Sequence, residues 1–105
     1  MDRKNIVKII AVELKKIAPE AEVTLFGSEA RGEARTDSDI DLLILLPDYS
    51  ENKQYIARRS HISGCLYEMS LNLGVDISPL ILPQSIWSSR KTPFSVNVKN
   101  EGIRI

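Results

Sequence analysis

The chain is poor in the residues that build disulfide bonds and zinc sites. Among its 105 residues there is one cysteine, Cys65, and one histidine, His61. A lone cysteine has no internal disulfide partner, and one Cys with one His is too small a set for a tetrahedral zinc site. Any bound metal ion would therefore need oxygen ligands, which the 14 Asp and Glu residues supply.

The chain also lacks an excess of either charge and any long apolar run. Its 14 basic and 14 acidic residues cancel, which argues against duplex DNA as a partner and favours a small charged ligand. No stretch approaches the roughly 20 apolar residues of a membrane span, and charges interrupt the N-terminal segment throughout. We expect one soluble, cytoplasmic domain over residues 1–105, with no membrane partner.

Apolar residues at helical spacing predict two long helices. The first covers residues 2–18 and is followed by a proline, and the second contains an apolar stripe over residues 55–73. Asp48 or Ser50 can cap the start of the second helix, because short polar side chains accept hydrogen bonds from the first turn. Gly74 lies where a C-terminal glycine belongs.

Three short apolar runs predict strands at residues 22–26, 40–46 and 75–82. The second run is apolar at both odd and even positions, which is typical of a strand covered on both faces. Pro79 in the third run predicts an edge strand or a bulge. At the C-terminal end Thr92-Pro93 is typical of a helix start, whereas Phe94, Val96 and Val98 alternate as in a strand, and we favour the helix.

The segment at residues 25–46, LFGSEARGEARTDSDIDLLILL, carries the candidate chemistry. Asp39 and Asp41 lie two residues apart at the start of a buried strand, so their carboxylates project to one face and can share a cation. Mg²⁺ prefers a few carboxylates plus water and phosphate oxygens. Asp76, at the start of the next apolar strand, is the candidate third ligand.

The residues before the two aspartates suit a polyphosphate. Gly27 lets the backbone approach a phosphate, and Ser28 offers a hydroxyl and an N–H at the start of a helix. Arg31 and Arg35 are close enough in sequence to reach the same polyphosphate, and Arg31 is favoured. A P-loop is excluded because Gly32 is not followed by Lys and Ser or Thr, and the three-glycine dinucleotide fingerprint is absent.

The string GSEARGEARTDSDIDL resembles the signature of the DNA polymerase beta nucleotidyltransferase superfamily. In this short form it is similar to the minimal nucleotidyltransferase (MNT) domain of prokaryotes. The resemblance rests on Gly-Ser, Ala-Arg-Gly and Ser-Asp-x-Asp within residues 26–42, followed by a later Asp. It implies a nucleotidyltransferase fold of mixed α/β class, with a small mixed sheet of three or four strands flanked by helices.

The resemblance also implies a reaction in which a hydroxyl attacks the α-phosphorus of ATP or another nucleoside triphosphate and expels pyrophosphate. The triphosphate would be held by Gly27 and Ser28, two Mg²⁺ ions by Asp39 and Asp41, and the site nearest the acceptor would be completed by Asp76. Minimal domains act with a helical HEPN-type partner. The resemblance therefore implies an antitoxin that attaches AMP to a tyrosine of a HEPN toxin.

Two alternatives stay open at this point. One is a non-catalytic module that binds nucleotide and partner, and the other is transfer to a small, aminoglycoside-like acceptor. Three intact carboxylates favour catalysis, because burying them without a metal ion would be costly. Among the remaining side chains we assign no role to His61. We expect Cys65 to pack in the stripe of the second helix and Trp87 to close one end of the core.

Overall fold

In the computed structural model, which describes residues 1–105, five helices and four strands follow one another, alternating except for two consecutive helices before the last strand. The helices are α1 (Arg3–Ile17), α2 (Gly27–Ala30), α3 (Asn52–Leu73), α4 (Gln84–Ser89) and α5 (Pro93–Glu101). The strands are β1 (Glu22–Phe26), β2 (Ile40–Leu46), β3 (Ile77–Pro83) and β4 (Ile103–Arg104). None of the helices is both long and apolar enough to cross a membrane.

The strands form one mixed sheet in the order β3-β2-β1-β4. Strand β2 is parallel to β3 and antiparallel to β1, and β1 is antiparallel to β4. All three predicted strands are confirmed, and β1 and β2 have the predicted bounds. Strand β3 begins two residues later than predicted and lies at an edge of the sheet, as Pro79 indicated, because an edge strand tolerates a missing N–H donor.

The C-terminal segment forms the helix that Thr92-Pro93 predicted. Pro93 is the first residue of α5, and the Thr92 hydroxyl oxygen accepts a hydrogen bond from the Ser95 N–H at 3.1 Å. Helix α4 and strand β4 were not predicted, and of α2 only the helix start at Ser28 was expected. The elements α2, α4 and β4 contain four, six and two residues, too few for a hydrophobic period to repeat.

Helix α3 begins later than predicted. Its N-cap is Glu51, whose N–H donates to Gln54 Oε1 at 3.3 Å, so neither Asp48 nor Ser50 is the cap. The Asp48 carboxylate instead accepts the Ser85 hydroxyl at 2.7 Å, at the start of α4. The predicted end is confirmed, because Gly74 adopts the left-handed conformation with φ of 69°.

The side chains of β2 point alternately to the two faces of the sheet, and each face has its own hydrophobic core. The even-numbered residues of β2 are buried against α1 and α3 in a core of 13 buried residues. Leu43 and Leu45 face the other side of the sheet, where they pack with Trp87 and Val98. Trp87 is buried in this smaller core, rather than closing one end of the main core as predicted. Cys65 belongs to neither core: it is half-buried with its Sγ 3.8 Å from His61 Nε2, because it lies one residue off the inward stripe of α3.

Arg58 joins α3 to the turn between α1 and β1. Its Nε donates to Glu20 Oε2 at 2.7 Å, and its Nη2 donates to Glu20 Oε1 and to the Ile17 carbonyl, both at 3.0 Å. The Tyr49 hydroxyl donates to the same carboxylate at 3.2 Å. Burial alone raises the pKa of Glu20, but the hydrogen bonds and charge of Arg58 outweigh burial and lower that pKa.

We expect Glu20→Gln to remove a stabilising contact that depends on pH. Since the pKa of Glu20 in the folded chain lies below the ordinary 4.5, its contribution is fully present above that value and disappears as the pH falls through the lowered pKa. Urea unfolding near neutral pH should show a loss of about 0.5–1 kcal/mol. The difference from wild type should shrink toward about pH 3, below the ordinary glutamate range.

Glu13→Gln is the matched control for this experiment, because Glu13 pairs with Lys16 at 3.4 Å on the exposed side of α1. That variant should unfold much like wild type at both pH values. If Glu20→Gln lowers the free energy of unfolding equally at neutral and acid pH, the pH-dependent contribution assigned to the Glu20 carboxylate is wrong.

Candidate active site

Asp39, Asp41 and Asp76 lie where β2 and β3 begin. The parallel register pairs Ile40 with Ile77, and the Ile40 N–H donates to the Asp76 carbonyl at 2.8 Å. Asp39 and Asp76 each immediately precede one of these paired residues. The structure therefore places them side by side at the entrance to the two strands, with Asp41 two residues further along β2.

Asp41 is the most enclosed of the three aspartates, because the backbone of Gly27 lies directly against it. A Cβ atom built on Gly27 would lie 2.3 Å from Asp41 Oδ2. Burial raises the pKa of Asp41, the charge of Asp39 raises it further, and the charge of Arg31 lowers it. A cation held between Asp39 and Asp41 would offset both of the causes that raise this pKa.

The three carboxylates do not form a closed metal cage. No group of three His, Cys, Asp or Glu side chains is close enough to hold a metal ion. Asp39 and Asp76 are exposed and Asp41 is half-buried, so the site is open to solvent. This donor set fits Mg²⁺, which binds through one or two carboxylates and fills its other positions with water and phosphate oxygens.

The residues predicted to contact phosphate lie beside the aspartates. Strand β1 pairs Phe26 with Asp41, and Gly27 and Ser28 follow at once as the first turn of α2. Gly27 has φ of 73°, a conformation that glycine adopts without strain. The antiparallel pairing of β1 and β2 thus brings the Gly-Ser turn and the Asp pair together.

Arg31 follows α2 and is held by two carboxylates. Its Nε donates to Glu33 Oε2 at 3.3 Å, and its Nη1 donates to Glu101 Oε1 of α5 at 3.2 Å. The hydrogen bond with Glu33 and the charges of both glutamates raise the pKa of Arg31. The charge of Arg31 lowers the pKa of Asp41, which favours Arg31 over Arg35 as the arginine of the site. Arg35 makes hydrogen bonds through its backbone alone: its N–H donates to the Ser38 hydroxyl at 2.8 Å, and its carbonyl accepts from the Ser38 N–H at 3.1 Å.

Three neighbours of the site were not predicted. Ser78 pairs in register with Asp41, and its position two residues after Asp76 was a usable signal, since alternate strand residues share a face. Glu101 binds Arg31 across 70 positions of sequence, which no local pattern encodes. Phe94 is 47% exposed and packs edge-on against Phe26, with ring centroids 5.7 Å apart.

Comparison with known proteins agrees with this arrangement. Residues 7–100 match the nucleotidyltransferase domain family. A protein of Methanocaldococcus jannaschii, provisionally named a protein adenylyltransferase, is 35% identical over 83 residues, which cover 79% of this chain and 76% of the relative. The chain belongs to the nucleotidyltransferase domain family and is a nucleotidyltransferase.

Two solved structures share the fold. A toxin-antitoxin complex with AMP-PNP matches with a TM-score of 0.61 and 27% identity, over 95% of this chain and 71% of the matched chain. A tri-AMPylated Shewanella oneidensis HEPN toxin in complex with an MNT antitoxin matches with a TM-score of 0.52 and 25% identity, over 99% and 71% of the two chains. The predicted nucleotidyltransferase fold is confirmed.

We expect Gly27→Ala to disturb the site and Gly32→Ala to leave it intact. The two glycines have φ of 73° and 72°, so alanine adds similar backbone strain, about 1–2 kcal/mol, at either position. Only at Gly27 does the added Cβ meet another residue, Asp41, whereas nothing lies within 4 Å of it at Gly32. If the site binds Mg²⁺ and ATP as the sequence analysis predicts, Gly27→Ala should weaken that binding about tenfold, as measured by calorimetry.

Gly32→Ala should bind Mg²⁺ and ATP as wild type does, although both variants unfold at a similarly lowered temperature. Equal affinities for Mg²⁺ and ATP in the two alanine variants would show that the contact between Gly27 and Asp41 is unimportant for the site.

Proposed function

We propose that the chain is a Mg²⁺-dependent protein adenylyltransferase that transfers AMP from ATP to a tyrosine hydroxyl of a HEPN-type toxin, and so acts as an antitoxin. The observation that carries the proposal is the packing of the Gly27 backbone against Asp41, with Asp39 beside it and Asp76 on the next strand. Because the proposed substrate, ATP, is a cytoplasmic metabolite, we place the reaction in the cytoplasm.

In this proposal Asp39 and Asp41 hold Mg²⁺, and Asp76 completes the metal site nearest the acceptor. When bound, Mg²⁺ neutralises the triphosphate and lowers the pKa of the attacking hydroxyl. The raised pKa of Asp41 supports this assignment, because a carboxylate destabilised by burial and by a neighbouring negative charge gains most from a cation.

The remaining residues of the site bind and orient ATP. The Gly27 backbone and the Ser28 N–H and hydroxyl contact the triphosphate. Arg31 supplies a guanidinium that the triphosphate can draw away from Glu33 and Glu101, since both ion pairs are partly exposed and hence weak. This orientation places the α-phosphorus in line between the acceptor oxygen and the leaving pyrophosphate.

The transfer itself exchanges one phosphorus–oxygen bond for another. The tyrosine oxygen attacks the α-phosphorus, and a new O–P bond forms as the bond to the pyrophosphate oxygen breaks. The Asp76 carboxylate takes the tyrosine proton as general base. The products are the AMP ester of the tyrosine and pyrophosphate.

The open site supports a macromolecular acceptor over a small one. Asp39 and Asp76 are exposed, and the clefts of about 760 and 380 Å³ lie against other residues. Small acceptors bind in concave pockets that bury most of their surface. A tyrosine on a partner protein needs only an accessible surface.

The relatives support the finer parts of the proposal. The adenylyltransferase name of the Methanocaldococcus jannaschii relative supports a protein acceptor. AMP-PNP in one neighbouring complex supports an adenine nucleotide, and the tri-AMPylated HEPN toxin in the other supports a HEPN partner.

We expect the purified chain, given ATP, Mg²⁺ and a HEPN-type partner protein, to add AMP to that partner, as measured by intact mass. Asp39→Asn/Asp41→Asn should reduce the rate by about a thousandfold, because the charge that holds the metal is lost. Asp37→Asn is the matched control, since Asp37 is exposed and lies two residues before Asp39. It should transfer AMP at the wild-type rate.

Each other outcome of the mass measurement has a defined meaning. An adduct that survives Asp39→Asn/Asp41→Asn would place the chemistry elsewhere. Tight partner binding without an adduct from any of the four common triphosphates would replace the proposal by a non-catalytic binding module. An adduct on a hydroxylated small molecule alone would replace the HEPN acceptor.

A further inference from the structure

Arg3, the first residue of α1, binds two other segments of the chain with one side chain. Its Nε donates to Glu29 Oε1 on α2 at 2.6 Å. Its Nη2 donates to the Ser38 carbonyl at 2.7 Å, and its Nη1 donates to the Thr36 carbonyl at 3.3 Å. The Arg3 and Glu29 side chains are only 17% and 13% exposed, so this ion pair is largely shielded from solvent.

The two carbonyls belong to the segment that leads from α2 to Asp39. Within this segment the hydrogen bonds near its end are local: the Ser38 N–H donates to the Arg35 carbonyl at 3.1 Å, and the Arg35 N–H donates to the Ser38 hydroxyl. The bonds from Arg3 are the only hydrogen bonds that connect Thr36 or Ser38 to another element of the fold. Connecting segments with so few contacts open at low free-energy cost.

Asp39 consequently lies between two anchored peptide groups. The carbonyl before it, of Ser38, accepts from Arg3, and the N–H after it, of Ile40, donates to the Asp76 carbonyl. The same guanidinium reaches Glu29, the residue that follows Ser28 in α2. One side chain therefore connects the turn that contacts phosphate with the segment that presents the first aspartate.

We propose that Arg3 is a positioning residue, whose guanidinium sets the distance between Asp39 and Ser28 without touching the substrate. This inference rests on the proposed function for what Asp39 and Ser28 bind. Reaction rates depend strongly on the positions of the groups that hold the substrate, since a displacement of about 1 Å can reduce a rate about a hundredfold. Lysine in place of Arg3 keeps the charge but lacks the planar fork that serves a carboxylate and two carbonyls together.

Arg58→Lys is the matched control for Arg3→Lys. Arg58 also binds one glutamate and one backbone carbonyl, those of Glu20 and Ile17, but it does so at the opposite end of α1. Both lysine variants should lower the unfolding temperature by similar, small amounts. Glu29→Gln is a milder second variant, because it removes the charge that Arg3 binds and keeps an acceptor.

Hydrogen exchange of the full-length chain tests the contact without any assay of activity. Arg3→Lys should accelerate exchange of the amides of residues 36–39 about tenfold, Glu29→Gln should accelerate it less, and Arg58→Lys should leave it unchanged. In parallel, Mn²⁺ binding in the presence of a non-hydrolysable ATP analogue, followed by electron paramagnetic resonance, should weaken about tenfold in Arg3→Lys alone.

The possible failures are distinguishable. If hydrogen exchange at residues 36–39 rises equally in Arg3→Lys and Arg58→Lys, or rises in neither, Arg3 does not hold this segment. Faster exchange with unchanged Mn²⁺ affinity overturns the positioning role. A wild-type chain that binds no Mn²⁺ with the ATP analogue overturns the proposed function, whereas the exchange data still decide whether Arg3 holds the segment.

Discussion

Strand β2 is hydrogen-bonded on both sides, and the rest of the structure depends on this double pairing. Antiparallel pairing with β1 and parallel pairing with β3 place Phe26, Asp41 and Ser78 in one row across the sheet. Because side chains alternate along a strand, the same pairing sends the even-numbered residues of β2 into the main core and the odd-numbered ones to the opposite face. A shift of one residue in either register would exchange the two sets.

This division lets one small chain combine stability with an open polar site. The core between the sheet and helices α1 and α3 contains 13 buried residues, whereas only four buried residues lie on the other face. The aspartates can therefore lie at the sparsely covered face while the opposite face supplies most of the hydrophobic stabilisation. At Asp41 folding disfavours the charged carboxylate, because burial and the charge of Asp39 both raise its pKa.

Where local residues mark both ends of an element, its bounds were predicted correctly. Strands β1 and β2 are bounded by proline, glycine or charged residues, and their predicted limits agree with the structure. The start of α3 was predicted wrongly because several polar residues precede it, and one of them, Asp48, is bound instead to Ser85, 37 positions away. Elements shorter than two helical turns, such as α2 and α4, have no periodicity to detect.

The sequence by itself determined the family, the succession of the main elements and the pairing of Asp39 with Asp41, because each of these depends on residues that are close along the chain. Tertiary structure alone decided that Asp76 lies beside Asp39, since that follows from the parallel register of β2 and β3. It also decided the partners of Arg3 and Arg31, whose carboxylates lie 26 and 70 positions away. Contacts at such separations arise from the packing of whole elements, and no local pattern in the sequence specifies them.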